Sequence, residues 1–155
     1  MGVITLMYAI PPDKMRLIRR DHELLERVFG NEPAGPEWQF DSLDFDKHWE
    51  EVAGIMAECG HRGASRRINR QNFWDADAHE VWSVTPAAVR SIAAALAKAD
   101  YKKIRARAEA IEITDYWGQK IPVAYLDGLV DEIRRVAEFT RQAAERGDFL
   151  LFLNE

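Results

Sequence analysis

The sequence is poor in cysteine and contains no long apolar segment. One of its 155 residues is a cysteine, Cys59, which excludes a disulfide within the chain and favours a reducing compartment. The apolar stretch at residues 3–10 is far shorter than the roughly 20 residues that a membrane-spanning helix needs. The N-terminus also lacks the basic, apolar and small-residue order of a signal peptide. We therefore expect a cytoplasmic protein that has no membrane partner.

An excess of basic charge is also missing. The chain has 21 lysines and arginines against 26 aspartates and glutamates, which gives a net charge of −5. Nucleic-acid binding proteins need a basic surface to contact phosphates, so a nucleic-acid partner is disfavoured. Hydrophobic content of 47% and charged content of 30% are typical of a soluble globular protein, and the length predicts a single domain over residues 1–155.

Standard catalytic and cofactor motifs are absent. Ser65 is not followed by the second glycine of a nucleophile elbow, and His79-Glu80 lacks the second histidine of a zinc protease motif. The glycines at positions 54, 60 and 63 do not form a phosphate-binding or dinucleotide-binding loop. Cys59 falls in phase with neighbouring apolar residues, which predicts a small core residue rather than a thiol activated by His61. The sequence thus predicts no cofactor and no catalytic residue.

Hydrophobic periodicity predicts strands alternating with helices. The strands are expected at residues 3–9, 80–84 and 149–153. The helices are expected to start at Pro12 with a break at Asp21, after Asp44 or Asp46, at Thr85-Pro86, after Asp100 and at Pro122. Residues 31–42 and 61–71 have no apolar period and are expected to be loops.

The C-terminal strand organises this prediction. Residues 149–153 are apolar without a polar interruption, which is typical of a strand covered on both faces. The helix at residues 122–147 should pack over it, and Gly147 should end that helix in a left-handed conformation. The expected fold class is α/β: a single compact domain with a small mixed sheet of about four strands, covered by helices on both faces.

Several segments carry a family resemblance. They are residues 43–49 (LDFDKHW), residues 85–89 (TPAAV) followed by 92–96 (IAAAL), and residues 143–148 (AAERGD) before the last strand. Their order and spacing resemble the YfbM-like family, the bacterial domain of unknown function 1877. The resemblance implies a compact sheet covered by helices and implies no activity. The sequence departs from the family at Glu50, where a histidine is usual, and at Ala87-Ala88, where an acidic pair is usual.

The first candidate site lies in the segment at residues 43–49. Its members are Asp44, Asp46, Lys47, His48 and Trp49. Acids beside an imidazole and an indole could hold a cation or position a ligand at a helix N-terminus. The alternative is structural: an acid caps the helix and Trp49 packs in the core.

A second candidate is a metal site at Asp75, Asp77 and His79. In one extended segment these alternate residues would project to the same side, so two carboxylates and an imidazole could converge on a divalent ion. The alternative is a solvated acidic loop before a strand.

The third candidate is basic. Arg66, Arg67 and Arg70, with Arg62 before them, could clamp a phosphate or an acidic partner, and Trp74 could add a stacking surface. The alternative is an exposed loop in contact with solvent or a partner.

Two functions fit these observations. The favoured one is a non-enzymatic binding or interaction domain with a protein partner, which would use aromatic and arginine anchors in the loops at residues 61–79 and 31–42, including Trp38 and Phe40. The alternative is an enzyme, or a small-molecule or metal binder, with an acidic-histidine site at the loop ends of the sheet. Its groups would be Asp44, Asp46, His48, Asp75 and His79. The oligomeric state is left open.

Overall fold

A computed structural model describes residues 4–30, 32–69, 74–76, 79–115 and 117–155, with residues 74–76 and 79 described by their backbone. The strands are β1 (Thr5–Ile10), β2 (Ser42–Asp44), β3 (Trp74–Ala76), β4 (His79–Val84) and β5 (Phe149–Asn154). The helices are α1 (Pro12–Arg20), α2 (Leu25–Val28), α3 (Trp49–Met56), α4 (Arg62–Ile68), α5 (Pro86–Leu96), α6 (Tyr101–Ala110) and α7 (Val123–Arg146). Single 3₁₀ turns cover His22–Leu24 and Pro36–Trp38.

The strands form one sheet in the order β2-β1-β5-β4-β3. The predicted α/β class is confirmed, but the expectation of a mixed sheet is wrong, because every strand pair in the described chain is antiparallel. The described residues form five strands, of which β2 and β3 are only three residues long. One helix between two strands usually returns the chain in parallel. Here three helices join β4 to β5, so the alternation of strands and helices in the sequence does not determine whether these two strands run parallel or antiparallel.

β5 occupies the centre of the sheet, as its apolar sequence predicts. Alternate residues of a strand point to opposite faces, and both faces of β5 are covered. Leu150 and Phe152 belong to the larger core, and Leu151 and Leu153 belong to the smaller one. All four side chains are fully buried.

Helices cover both faces of the sheet, which confirms that part of the prediction. The larger core takes its side chains from α3 to α7, and the smaller one from α1, α2 and the 3₁₀ turn at Pro36–Trp38. On the larger side α5 packs on β5, and α7 packs mainly against α5. The long helix therefore belongs to the layer over β5 but makes its closest approach to another helix.

Local capping signals set the helix ends. Thr85 Oγ1 and Asp100 Oδ1 each accept a hydrogen bond from the amide three residues on, at 3.3 and 3.1 Å. Asp21 ends α1 and caps the following turn by accepting from the amide of residue 23. Gly147 has a φ of 73°, the left-handed conformation that glycine adopts without a steric cost.

The basic segment after α3 is helical rather than a loop. A π-helical turn at Ala57–His61 connects α3 to α4. On α4, Ala64, Ser65 and Ile68 are buried, and Ser65 Oγ donates to the Ala53 carbonyl at 3.0 Å. Packing of this short buried edge against α3 stabilises a helix that the polar sequence did not indicate.

Of the two loop aromatics expected as interface anchors, one is a core residue. Trp38 is only 6% exposed and belongs to the smaller core, and the Lys14 ammonium lies 4.6 Å from its ring centre. Phe40 is partly buried and packs edge-on against Trp38, with ring centroids 6.2 Å apart. Trp38 therefore closes the core beneath α1 and α2 and is not an exposed anchor, whereas an anchor role for Phe40 stays a prediction.

Among the described residues, no helix is both long enough and apolar enough to cross a bilayer.

Candidate functional site

A cavity of about 590 Å³ opens between the start of α3, the connection from α6 to α7, and the first half of α7. Pockets of this volume commonly hold a small organic ligand or a side chain of a partner. Helices and connecting segments supply the whole lining. It consists of Lys47, His48, Glu51, Asp115, Trp117, Gln119, Lys120, Ile121, Pro122, Tyr125, Gly128, Leu129 and Glu132.

A tight turn builds one wall of the cavity. Asp115 Oδ1 accepts hydrogen bonds from the amides of Trp117 at 2.9 Å and Gln119 at 2.8 Å. The Asp115 amide donates to the Gln119 carbonyl, and Gly118 has a φ of 76°. These contacts fix the backbone that presents Trp117, because an aspartate side chain readily organises the two or three residues that follow it.

One stripe of α7 forms another part of the lining. Tyr125, Gly128 and Glu132 are three and four residues apart, so they lie above one another on the helix surface. This stripe runs beside the buried one that includes Leu126 and Ile133. A Cβ at Gly128 would meet no heavy atom within 4 Å, so the backbone there borders open space.

Two large aromatic side chains at the cavity are strongly exposed. Trp117 and Tyr125 are each 67% accessible. Of the four exposed large apolar side chains in the described chain, three lie between positions 117 and 125, the third being Val123. Solvent-exposed aromatics concentrated beside a concavity are typical of a recognition site.

Two carboxylates in the lining have an unsatisfied oxygen. Glu51 Oε2 and Glu132 Oε2 are buried and have no hydrogen-bond partner among the described residues. The other Glu132 oxygen, Oε1, accepts from Arg135 Nη1 at 2.8 Å. Buried polar atoms are nearly always satisfied in proteins, so each of these oxygens can accept a donor that the described residues do not supply.

The structure separates the members of the first sequence-predicted cluster. Lys47 and His48 line the cavity, whereas Asp44 and Asp46 do not. Trp49 is 2% exposed, with its ring 5.3 Å from that of Phe152. The indole is therefore part of the core and does not face a ligand.

Neither acid of this cluster caps a helix, so that expectation is wrong. The residue before α3 is His48, whose side chain makes no capping hydrogen bond. Asp44 Oδ1 instead accepts from the Asp46 amide at 2.7 Å. Asp46 has a φ of 46°, a conformation that aspartate tolerates better than most residues. The acids thus shape a turn between β2 and α3.

The metal-site prediction rested on one extended segment from position 75 to 79. Asp75 and His79 instead lie on two antiparallel strands, β3 and β4, in which Asp75 pairs with Glu80 and Ala76 with His79. Alternation along a single strand therefore does not apply to Asp75 and His79. Asp77 lies outside the described residues, and within the part of the chain that is described no three acidic, histidine or cysteine side chains are grouped to hold a metal.

Three of the basic candidates, Arg62, Arg66 and Arg67, lie on α4. Arg66 and Arg67 are exposed near its C-terminal end, and Arg62 at its start faces Glu58 at 3.6 Å. Arg70 lies outside the described residues, and Trp74 is described through its place in β3. A clamp for an anion at these arginines stays a prediction.

Cys59 lies in the π-helical turn and packs partly against the larger core. Burial raises the pKa of its thiol above the usual value, and the nearby Arg107 charge only partly opposes this. A raised pKa reduces the thiolate fraction at neutral pH, which is the opposite of what a catalytic cysteine needs. The thiol is suited to a structural role.

Sequence reasoning missed most of the cavity. It assigned no role to residues 116–121 and counted α7 only for its buried stripe. One usable signal was present: Gly128 interrupts a helix in which glycine costs about 1 kcal/mol relative to alanine. A glycine retained inside a long helix suggests a surface where a side chain would be in the way.

Comparisons with known proteins bear on the fold. The model of the family described as a domain of unknown function (DUF1877) matches residues 1–153. Among solved structures, YfbM from Escherichia coli, a protein of unknown function, is similar with a TM-score of 0.66 and 14% identity, covering 98% of this chain and 99% of that chain. At this identity the likeness shows a shared fold. No curated protein sequence matches the chain.

Proposed function

We propose that this chain, which belongs to the DUF1877 family, is a non-enzymatic binding domain whose recognition site is the cavity between α3 and α7. The observation that carries the proposal is the pair of strongly exposed aromatic rings, Trp117 and Tyr125, that line one cavity of about 590 Å³. A monomeric protein rarely exposes two such rings beside a pocket unless they contact something.

The positions of the titratable groups support binding over catalysis. An acidic-histidine enzyme site would need Asp44, Asp46 and His48 to converge. Only His48 reaches the cavity, and the two acids hydrogen-bond locally in a turn. The aromatic walls supply contact area at a low cost in conformational entropy, which is what a binding site needs.

The experiment uses a variant that fills the cavity. In Gly128→Leu the new side chain enters open space, since no heavy atom lies within 4 Å of its Cβ position. Gly63→Leu is the matched control: Gly63 is exposed on α4, its added Cβ would meet only Arg67 Nη1 at 3.7 Å, and it lies away from the cavity. A library of small cationic, neutral and anionic compounds and short peptides is screened by thermal shift and by the indole NMR signal of Trp117.

Binding to this cavity predicts compounds that raise the melting temperature and shift the Trp117 signal in the wild type and in Gly63→Leu, but not in Gly128→Leu. A library with no such compound, or compounds that bind Gly128→Leu equally well, would contradict the proposal.

An enzyme is the second candidate, because His48 and Glu51 line the same cavity three residues apart. An imidazole and a carboxylate in one pocket could transfer a proton. The two candidate functions are distinguished by whether the bound compound is chemically changed. A binding domain returns it unchanged after long incubation, as checked by mass spectrometry, whereas a chemically altered compound would favour the enzyme.

A further inference from the structure

We propose that the ligand of this cavity carries an organic cation, an alkylammonium or a guanidinium group, that is held by Glu51 and Glu132 and flanked by Trp117 and Tyr125. The inference rests on the proposed function and names the chemical class that the site would take. It follows from the carboxylates, the aromatic rings and the local charges, which are independent features of the site.

The carboxylates supply the acceptors. Glu51 lies on α3 and Glu132 on α7, so the two acids enter the cavity from different elements. Each has a buried oxygen, Oε2, with no donor among the described residues. An ionised carboxylate is an acceptor only, and its preferred partner is a charged N–H donor. Rotation about the last side-chain bond of a glutamate is soft, so either oxygen can turn toward an entering group.

Arg135 holds Glu132 without satisfying it. The guanidinium donates from Nη1 to Oε1 at 2.8 Å, and about half of the Arg135 side chain is exposed. This contact orients the Glu132 carboxylate. The second oxygen, Oε2, is buried and has no donor among the described residues, so a rotation of the carboxylate would bring it to a ligand.

The aromatic rings favour the same ligand class. A cation over the face of a tryptophan or tyrosine is attracted by the negative charge density of the ring, and pockets that combine such rings with carboxylates suit ammonium and guanidinium groups. Trp117 and Tyr125 have the exposure that this contact needs. Their apolar surface would also pack against the alkyl chain that carries the charge.

Basic groups at the cavity do not supply the missing donors. Lys120 Nζ is already bonded to Glu112 Oε1 at 2.8 Å. Lys47 and His48 are exposed, and neither donates to Glu51 Oε2 or Glu132 Oε2. An anionic ligand could use Lys47 but would approach two unsatisfied carboxylates, which is electrostatically unfavourable.

The test compares three probes of one shape: butylguanidinium, butanol and butyrate. Binding is followed by the Trp117 indole signal and by the melting temperature, in the wild type, Glu51→Gln, Glu132→Gln and the control Glu50→Gln. Glu50 is an exposed acid that precedes Glu51 on α3 and does not line the cavity. We expect butylguanidinium to bind more tightly than the other two probes. Each cavity variant should weaken it about tenfold or more, as expected for loss of a charge-assisted hydrogen bond, while Glu50→Gln leaves it unchanged.

A second arm separates two sources of the cation. A blocked tripeptide with a central arginine is compared with butylguanidinium and with the same tripeptide carrying norleucine. Binding of the arginine peptide at least as tight as butylguanidinium indicates a basic side chain of a protein partner. Exclusion of the peptide while butylguanidinium binds indicates a free small molecule. Either result supports the proposed cation.

Failure of this inference differs from failure of the proposed function. Butanol or butyrate binding in preference to butylguanidinium, with sensitivity to Gly128→Leu, would overturn the cation and keep the binding cavity. Equal binding by wild type, Glu51→Gln and Glu132→Gln would also overturn it. Absence of Trp117 shifts with every probe and every library compound would overturn both. The affinity for butylguanidinium is measured separately in Glu51→Gln and in Glu132→Gln. If one variant misfolds, the other still tests the proposal.

Discussion

Phe152 is the residue at which the central position of β5 can be tested most directly. Its side chain is fully buried. The ring stacks on Trp82 with centroids 4.7 Å apart and planes 6° from parallel, and it lies 5.3 Å from the Trp49 ring. Replacing it with alanine removes a ring that contacts aromatic residues from both α3 and β4.

The expected loss is large. Phenylalanine to alanine in a closed core costs about 3–5 kcal/mol, because a cavity remains. Each aromatic contact contributes roughly 0.5–1.5 kcal/mol beyond the buried area, which places Phe152→Ala toward the upper end of that range. A domain of this size has a free energy of unfolding of about 5–15 kcal/mol, so the variant should fold but be far less stable.

Phe149→Ala is the internal control. Phe149 begins the same strand and is only partly buried, and the Arg19 guanidinium lies 4.7 Å from its ring centre. Its loss should cost about 1–2 kcal/mol, since part of the ring already contacts solvent.

Urea denaturation followed by far-UV circular dichroism measures both variants, since tryptophan fluorescence would respond to the removed ring itself. With a denaturant slope of about 2 kcal/mol per molar, Phe152→Ala should lower the midpoint by roughly 2 M and Phe149→Ala by less than 1 M. A Phe152→Ala shift no larger than that of Phe149→Ala would show that the enclosure of β5 does not stabilise the fold as argued.

Smaller effects are expected at helix ends and in surface ion pairs. Thr85→Ala removes the hydrogen bond that caps α5 and should lower the free energy of unfolding by about 1 kcal/mol. Thr85→Ser keeps a hydroxyl and should retain most of the wild-type stability. Urea titration compares the two variants. Gly147→Ala should destabilise by about 1 kcal/mol because of its left-handed φ, whereas Gly54→Ala, in α3 with open space around its Cβ, should stabilise by up to about 1 kcal/mol. The opposite signs are checked by calorimetry, and equal signs would refute the backbone argument. Hydrogen bonding from Arg141 lowers the pKa of Glu138 from 4.5 to about 2. The folded pKa lies below the ordinary one, so this contribution is present above about pH 4.5 and is lost as the pH falls toward 2. Carboxyl NMR should find the Glu138 pKa raised toward its ordinary value in Arg141→Gln, with the Gln142 hydrogen bond still lowering it in part, and an unchanged low value would contradict the assignment.

Predictions that depended on one local segment were the reliable ones. The residues between Thr85 and Leu96 place a cap, a proline and an apolar stripe in order, and the helix begins and ends with them. The unbroken apolar run of β5 likewise fixed its position, because only a central strand hides both of its faces. Such signals depend on a few neighbouring residues, so they can be interpreted without knowing how the rest of the chain folds.

Predictions that depended on distant partners were incomplete. On α4, Ser65 and Ile68 are buried and Ser65 hydrogen-bonds to Ala53 of α3, and the Asp75 segment pairs antiparallel with β4. Neither contact is encoded by local periodicity. For the candidate site, sequence reasoning named Lys47 and His48, two residues of the cavity lining, but it also named Trp49, which the core requires.

The sequence by itself determined the central strand, the capped helices and the class of layered fold, because burial on a strand or helix face leaves a periodic pattern in the chain. The tertiary structure alone decided the cavity. Glu51 and Glu132 are far apart in sequence, and Trp117 and Tyr125 belong to a turn and a helix with no shared pattern. Only the packing of α7 beside α3 brings these side chains to one concave surface, and that packing is set by the buried face of each helix rather than by the residues that line the cavity.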